Sequence, residues 1–218
     1  IGRQALSTQN TETTFVHNIA VGYQAGKAVT TGINNVIVGG QSGISLTTGS
    51  QNILLGRNAG DSLTSGSQNI AIGHSALSSE DGHGSNVAIG HEALQDLDAG
   101  QQAYNIAVGH SAGKEMTTGT KNTIVGGLSG DALTVGHGNT AIGYGALTTS
   151  VDGDNNTAIG HLALEDYEDG DGNGYNTAVG SRSQLNATTG EFNTSLGGLS
   201  MGSGVTTGDY NTALGYEA

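Results

Sequence analysis

The chain has no proline, cysteine or tryptophan, and only 4% of its 218 residues are aromatic. Without cysteine no disulfide can staple a small core, although that lack leaves the compartment open. Without large aromatic side chains a compact globule would lose much of the buried area it normally draws on, so any core must be thin and long. Basic residues are also scarce: 6 Lys and Arg stand against 19 Asp and Glu, a formal net charge of −13. That balance opposes a phosphate backbone or an anionic lipid surface, so no nucleic-acid partner is expected. No apolar run approaches the roughly 20 residues that cross a bilayer, and the start lacks the basic and apolar regions of a signal peptide. Membrane insertion is therefore not expected.

What the chain does have is glycine, 39 residues of it, and a period. An Asn recurs at Asn18, Asn35, Asn52, Asn69, Asn86, Asn105, Asn122, Asn139, Asn156, Asn176, Asn193 and Asn211, mostly 17 residues apart. A Gly follows each by four residues, among them Gly73, Gly90, Gly143 and Gly160. Self-similarity at a fixed period marks a repeat architecture in which each unit is one supersecondary element. Within the unit, short β-branched runs such as Val87-Ala-Ile89 lie between an Asn and a Gly, which tolerate turn conformations; this is a strand signal. Glycine at this density excludes helix.

The pattern predicts an all-β fold, a tandem-repeat β-solenoid or β-roll of about 12 coils of about 17 residues, as one domain over 1–218 that is cut mid-repeat at both ends. A second, weaker strand is expected around Leu63-Thr64. Strand alternation puts the residues one and three after the Asn on one face and the residue two after it on the other. The larger set, such as Ile70 and Ile72, is expected to fill the coil. The smaller set, including Ala20, Ala71, Ala88 and Ala141, would then form an outer ladder covered by other chains. The repeated Asn, including Asn69, Asn86, Asn139 and Asn156, reads as a structural ladder of stacked amides rather than a ligand set.

Units such as Asn139-Thr-Ala-Ile-Gly-Tyr-Gly-Ala-Leu147, followed by Thr148-Thr149, resemble the repeats of phage tail-fibre proteins, which often precede a self-cleaving intramolecular chaperone. They are more distantly similar to the β-roll heads of trimeric autotransporter adhesins of the YadA type, whose period is shorter. The resemblance implies a structural and adhesive homotrimeric fibre segment on a virion tail that takes part in attachment to a host. The partner it implies is a host cell-surface receptor, a glycan or an outer-surface protein. A bacterial trimeric surface adhesin head is the alternative, and an ice-binding β-solenoid is a third reading, from the partial Thr column at Thr30, Thr47, Thr64 and Thr117.

Few motifs suggest chemistry. Gly109-His-Ser-Ala-Gly113 matches a nucleophile elbow, but that device needs a following helix, and equivalent segments place Gln24 or Asn58 where Ser111 stands. The chain is expected not to be an enzyme. His74, His91, His110 and His161 share the column after the repeat Gly, with Tyr23, Tyr144 and Tyr216; a polar-aromatic ladder is the favoured reading and a shared transition metal the alternative. Acidic insertions at Ser79–Gly82, Asp96–Asp98, Asp152–Asp154 and 165–174 are the expected receptor-contact surface. Within the last, Asp169, Asp171 and Asn173 follow the first half of an EF-hand loop, while Gly180 stands where a bidentate Glu is required. No cofactor is otherwise expected, and calcium on these three residues stays open.

Overall fold

The structure is a computed structural model that describes residues 1–10, 16–168, 173–202 and 207–218. Its strands are β1 (Ile19–Val21), β2 (Val36–Val38), β3 (Ile53–Leu55), β4 (Ile70–Ile72), β5 (Val87–Ile89), β6 (Ile106–Val108), β7 (Thr123–Val125), β8 (Thr140–Ile142), β9 (Thr157–Ile159), β10 (Thr177–Val179), β11 (Thr194–Leu196) and β12 (Thr212–Leu214). They form one parallel sheet in sequence order, with equivalent repeat positions in register throughout. The chain is thus a β-solenoid of about 11 turns with one strand per coil, and the stack of twelve strands runs roughly 53 Å at the usual inter-strand spacing.

Each strand stops at three residues for a backbone reason. The residue before the Asn sits in the left-handed region, as at Gln68 (φ 63°) and Lys121 (φ 61°). The Gly four after the Asn has a φ of 127–146° in these coils, a region closed to L side chains. At Gly90 a Cβ would also overlap the Gly109 carbonyl oxygen of the next coil, so the coils stack closely only with glycine there.

The second strand expected at Leu63-Thr64 does not form. Thr47 and Thr48 both donate their N–H groups to the Thr64 carbonyl, at 2.8 and 3.2 Å. Two donors on one acceptor consume the register that a ladder needs. Leu63 instead turns inward as a core residue.

The strand faces are inverted relative to the sequence expectation. Position two of the strand points into the coil and is buried at Ala20, Ile37, Leu54, Ala71, Ala88, Ala107, Ile124, Ala141, Ala158 and Ala178. Positions one and three point outward, and none of them is buried. The interior is completed by the residue eleven after the Asn (Val29, Leu46, Leu63, Leu97, Met116, Leu133) and by small residues at position seven, such as Ala59 and Ser129. Buried Leu side chains contribute about 1.5–3 kcal/mol each, so this column supplies much of each coil's stability.

Position eight compensates position two. Where position two is Ala71, Ala88, Ala141 or Ala158, position eight is Leu77, Leu94, Leu147 or Leu164. Where position two is Ile37, Leu54 or Ile124, position eight is Gly43, Gly60 or Gly130. A Cβ built on Gly60 would lie 2.9 Å from Cδ2 of Leu54 in the same coil, so the larger strand residue fills the room that the turn residue leaves. Where both positions are small, as at Ala20 with Gly26 and Ala107 with Gly113, Ile37 or Leu94 and Ile124 of neighbouring coils fill the room, so close packing is kept across coils as well as within them.

The Asn ladder runs the length of the described solenoid. Asn52 N–H donates to Asn35 Oδ1 at 2.9 Å, Asn139 N–H to Asn122 Oδ1 at 2.8 Å, and Asn156 N–H to Asn139 Oδ1 at 2.9 Å. The amide nitrogen usually closes its own coil, as where Asn139 Nδ2 donates to the Gly153 carbonyl at 2.7 Å. The side chain thus satisfies a buried donor and a buried acceptor that the three-residue strand leaves over. In the longer coils this closure changes: Asn86 Nδ2 turns back to the Gly84 carbonyl at 3.3 Å, and Asn156 Nδ2 is buried without a hydrogen-bond partner.

Candidate functional site

The largest feature of the surface follows from the inverted strand. The two outward positions of each strand carry only Ile, Val, Leu and Thr. Position one is Ile or Val through β6 and Thr from β7 onward; position three is aliphatic throughout. Ile19 is 55% and Leu196 50% exposed. The columns that flank the strand, just before the Asn and just after the Gly, include Arg57 and Lys121 but no Asp or Glu, although the chain has 19 acidic residues. With parallel three-residue strands in register, this surface is a regular ladder about 53 Å long and roughly 10 Å wide, on the order of 500 Å².

Stacked aromatic rings edge that ladder. His74, His91 and His110 stack with ring centroids 5.2 and 5.1 Å apart and planes within 12°, as the column reading expects. Tyr144 stacks on His161 at 5.8 Å. On the other flank Tyr175, Phe192 and Tyr210 stack at 5.3 and 4.9 Å, and Tyr210 is 76% exposed. Beside the histidine stack, Lys114 Nζ lies 2.8 Å from Glu92 Oε2. That contact, assisted by the charges of His91 and His110, holds the Glu92 carboxyl below its ordinary range and raises the Lys114 ammonium.

The remaining sequence-predicted residues are dispersed. Ser111 is buried, with a left-handed φ of 53°, and the residues after Gly113 form a turn, so the strand-turn-helix context of a nucleophile elbow is not formed there. Of the calcium triad, Asp169 and Asp171 lie outside the described residues. Asn173 pairs with Asp154 in an isolated parallel bridge, and its Oδ1 accepts from Asn155 Nδ2 at 3.1 Å. Asp152 and Asp154 line a shallow groove with Val135 and His137, whose Nδ1 accepts the Thr120 N–H at 3.0 Å. The threonine column is engaged in the backbone: Thr47 Oγ1 donates to the Thr64 carbonyl at 2.9 Å and Thr134 Oγ1 to the Val151 carbonyl at 3.0 Å.

One cluster escaped the sequence reading. Glu80, Asp81, His83 and Asp98 each bring a ligand-type atom within 4.8 Å of the others. The signal was present once the repeats are aligned by column: Glu80 occupies the position of Leu46 and Leu63, and His83 that of Gly49 and Gly66.

No family model, curated protein or solved structure matches the chain.

Proposed function

We propose that the chain is a structural and adhesive rod segment that assembles as a homotrimer through the outer face of its sheet, in the manner of a phage tail fibre engaged in host attachment. The observation that carries this reading is the charge-free ladder of Ile, Val, Leu and Thr along β1 to β12, on a protein of net charge −13. Monomeric proteins rarely expose continuous apolar patches beyond a few hundred Å². A standard association buries about 800 Å² per partner, an area the ladder reaches together with the aromatic columns that edge it. Further copies of the same chain fit it best, because the repeat spacing on the two sides is identical and neither side brings an acidic group to the contact. Three copies about one axis is the arrangement the repeat resemblance implies.

Under this reading the acidic insertions lie off the covered face and are free to contact a cell-surface glycan or outer-surface protein, and the role is non-enzymatic. The setting is a virion tail, with the surface of a bacterium as the alternative. An ice-binding role draws instead on the threonine column, which lies off this face, and its hydroxyls are used between coils. Charge placed in the ladder tests the proposal: Ile89→Asp with Val125→Asp converts a trimer to a folded monomer and abolishes adhesion to host cells. An oligomer that survives both substitutions refutes the assigned face. Thermal hysteresis in the unmodified protein would instead favour the ice-binding reading.

A further inference from the structure

The coil that begins at Asn69 departs from its neighbours in several columns at one corner. Where other coils bury Val29, Leu46, Leu63 or Leu97, this coil buries Glu80, which is 0% exposed and is the one charged side chain fully buried among the described residues. Where Thr30, Thr47 and Thr64 stand in the next column, this coil has Asp81 and the following coil Asp98. Where Gly32, Gly49 and Gly66 stand, it has His83. The backbone register is kept, since Asn69 Nδ2 still reaches the His83 carbonyl at 2.9 Å. The coil beyond is 19 residues long rather than 17, and Asn86 there abandons the usual closure.

The side chains converge. Glu80 Oε1 accepts the His83 N–H at 2.9 Å and lies 3.1 Å from His83 Nδ1. Glu80 Oε2 is met by the Ala99 N–H at 3.4 Å, the long limit of a hydrogen bond. Asp81 and Asp98 are exposed and His83 half-buried, so the site opens to solvent over a buried carboxylate floor. Among the described residues no Lys or Arg forms an ion pair with any of the four. Three carboxylates around one imidazole carry a surplus of negative charge, and a buried carboxylate is expensive without a counter-charge.

We propose that Glu80, Asp81, His83 and Asp98 form a binding site for a divalent transition-metal cation of the zinc class, which ties two successive coils together at this corner. The donors are one imidazole nitrogen and three carboxylate oxygens. Imidazole suits zinc, whereas calcium takes an all-oxygen shell of six to eight ligands. Tetrahedral ligands about 2.1 Å from a metal stand about 3.4 Å apart, so the present spacing of up to 4.8 Å closes by rotation of the exposed Asp81 and Asp98 side chains. The cation offsets the surplus negative charge of three carboxylates that meet only one imidazole. The inference rests on the coil register and is independent of the trimer.

The test uses the 218-residue chain, stripped with a chelator and titrated calorimetrically with zinc chloride, then with calcium chloride. The expected result is one zinc per chain, bound at least 10-fold more tightly than calcium. Glu80→Leu and His83→Gly restore the residues of neighbouring coils and so keep the fold. Each weakens zinc binding at least 10-fold, consistent with loss of one ligand. His91→Ala leaves it unchanged. Absence of stoichiometric zinc binding overturns the proposal. So does retained affinity in His83→Gly, which places the ion elsewhere, and so does calcium bound as tightly as zinc.

Discussion

Ile124→Ala probes the compensation between strand and turn inside the coil. Ile124 is fully buried, and its Cδ1 lies 3.1 Å from where a Cβ on Gly113 would stand and 3.2 Å from one on Gly130. The substitution removes three carbons between two glycines that have no side chain to move into the void. Large-to-small changes of this kind cost about 2–5 kcal/mol, and with Leu94 and Met116 lining the Gly113 side and able to relax into part of the void, about 3 kcal/mol is expected here. A second change, Gly130→Leu, reproduces the Ala141 and Leu147 pairing found one coil later. Leu147 sits at φ 55° and Gly130 at φ 50°, so the backbone already accommodates the leucine. Recovery of about 2 kcal/mol or more is expected, less roughly 1 kcal/mol for a left-handed non-glycine residue. Urea denaturation of both variants reads the energies, and amide exchange in β6 to β8 localises them, because coils in such arrays are coupled to their neighbours. A single-variant loss under 1 kcal/mol, or a double variant less stable than the single, refutes the shared-volume argument.

Two further outcomes follow from the same structure. Asn122→Ala strips acceptor and donor from the ladder at once, leaving the Asn139 N–H and the Gly136 carbonyl unpaired inside the rod. The expected cost is about 2–4 kcal/mol by chemical denaturation, and a loss below 1 kcal/mol would show that water replaces both bonds. Asp131 is the second case: burial, aided by the Glu115 charge, pushes its carboxyl above the ordinary range, and its Oδ1 has no hydrogen-bond partner. A folded value above the unfolded one means that the folded state holds its proton longer, so this group lowers stability as pH rises through that window. Asp131→Asn should therefore raise the melting temperature at pH 7, with the gain vanishing at a pH below the unfolded carboxyl range; an equal gain at both pH values would contradict the assignment.

Much of the fold was legible because the repeat states it twelve times over. The Asn and Gly columns fixed the coil boundaries and the parallel register, since both residues are demanded by backbone groups rather than by packing. The orientation of the strand was not. Alternation separates Ile70 and Ile72 from Ala71 but does not say which side is inside, and the rule that larger side chains go inward fails in a coil this narrow. Here Leu77, Leu94 and Leu147 already fill the interior beside the strand, which leaves room for only a methyl at Ala71, Ala88 and Ala141. The pairing of Ala71 with Leu77 and of Ile124 with Gly130 carried that information, as did Thr123 and Thr140 in the outward column. Leu63-Thr64 looked like a strand because its residues suit one; the doubled use of the Thr64 carbonyl is a property of the stacked coils and has no local signature. Glu80 was visible as an acidic residue, but only column alignment shows it standing in a buried row of aliphatics.

The measurement that bears most directly on the proposed assembly is the solution mass of the unmodified chain, by light scattering behind a sizing column at two concentrations. A concentration-independent mass of about 65 kDa, three copies of the 21.7 kDa chain, is predicted if the ladder of β1 to β12 is the buried seam of a closed symmetric oligomer. A monomer of 21.7 kDa at both concentrations would contradict it, leaving the charge-free face open to solvent.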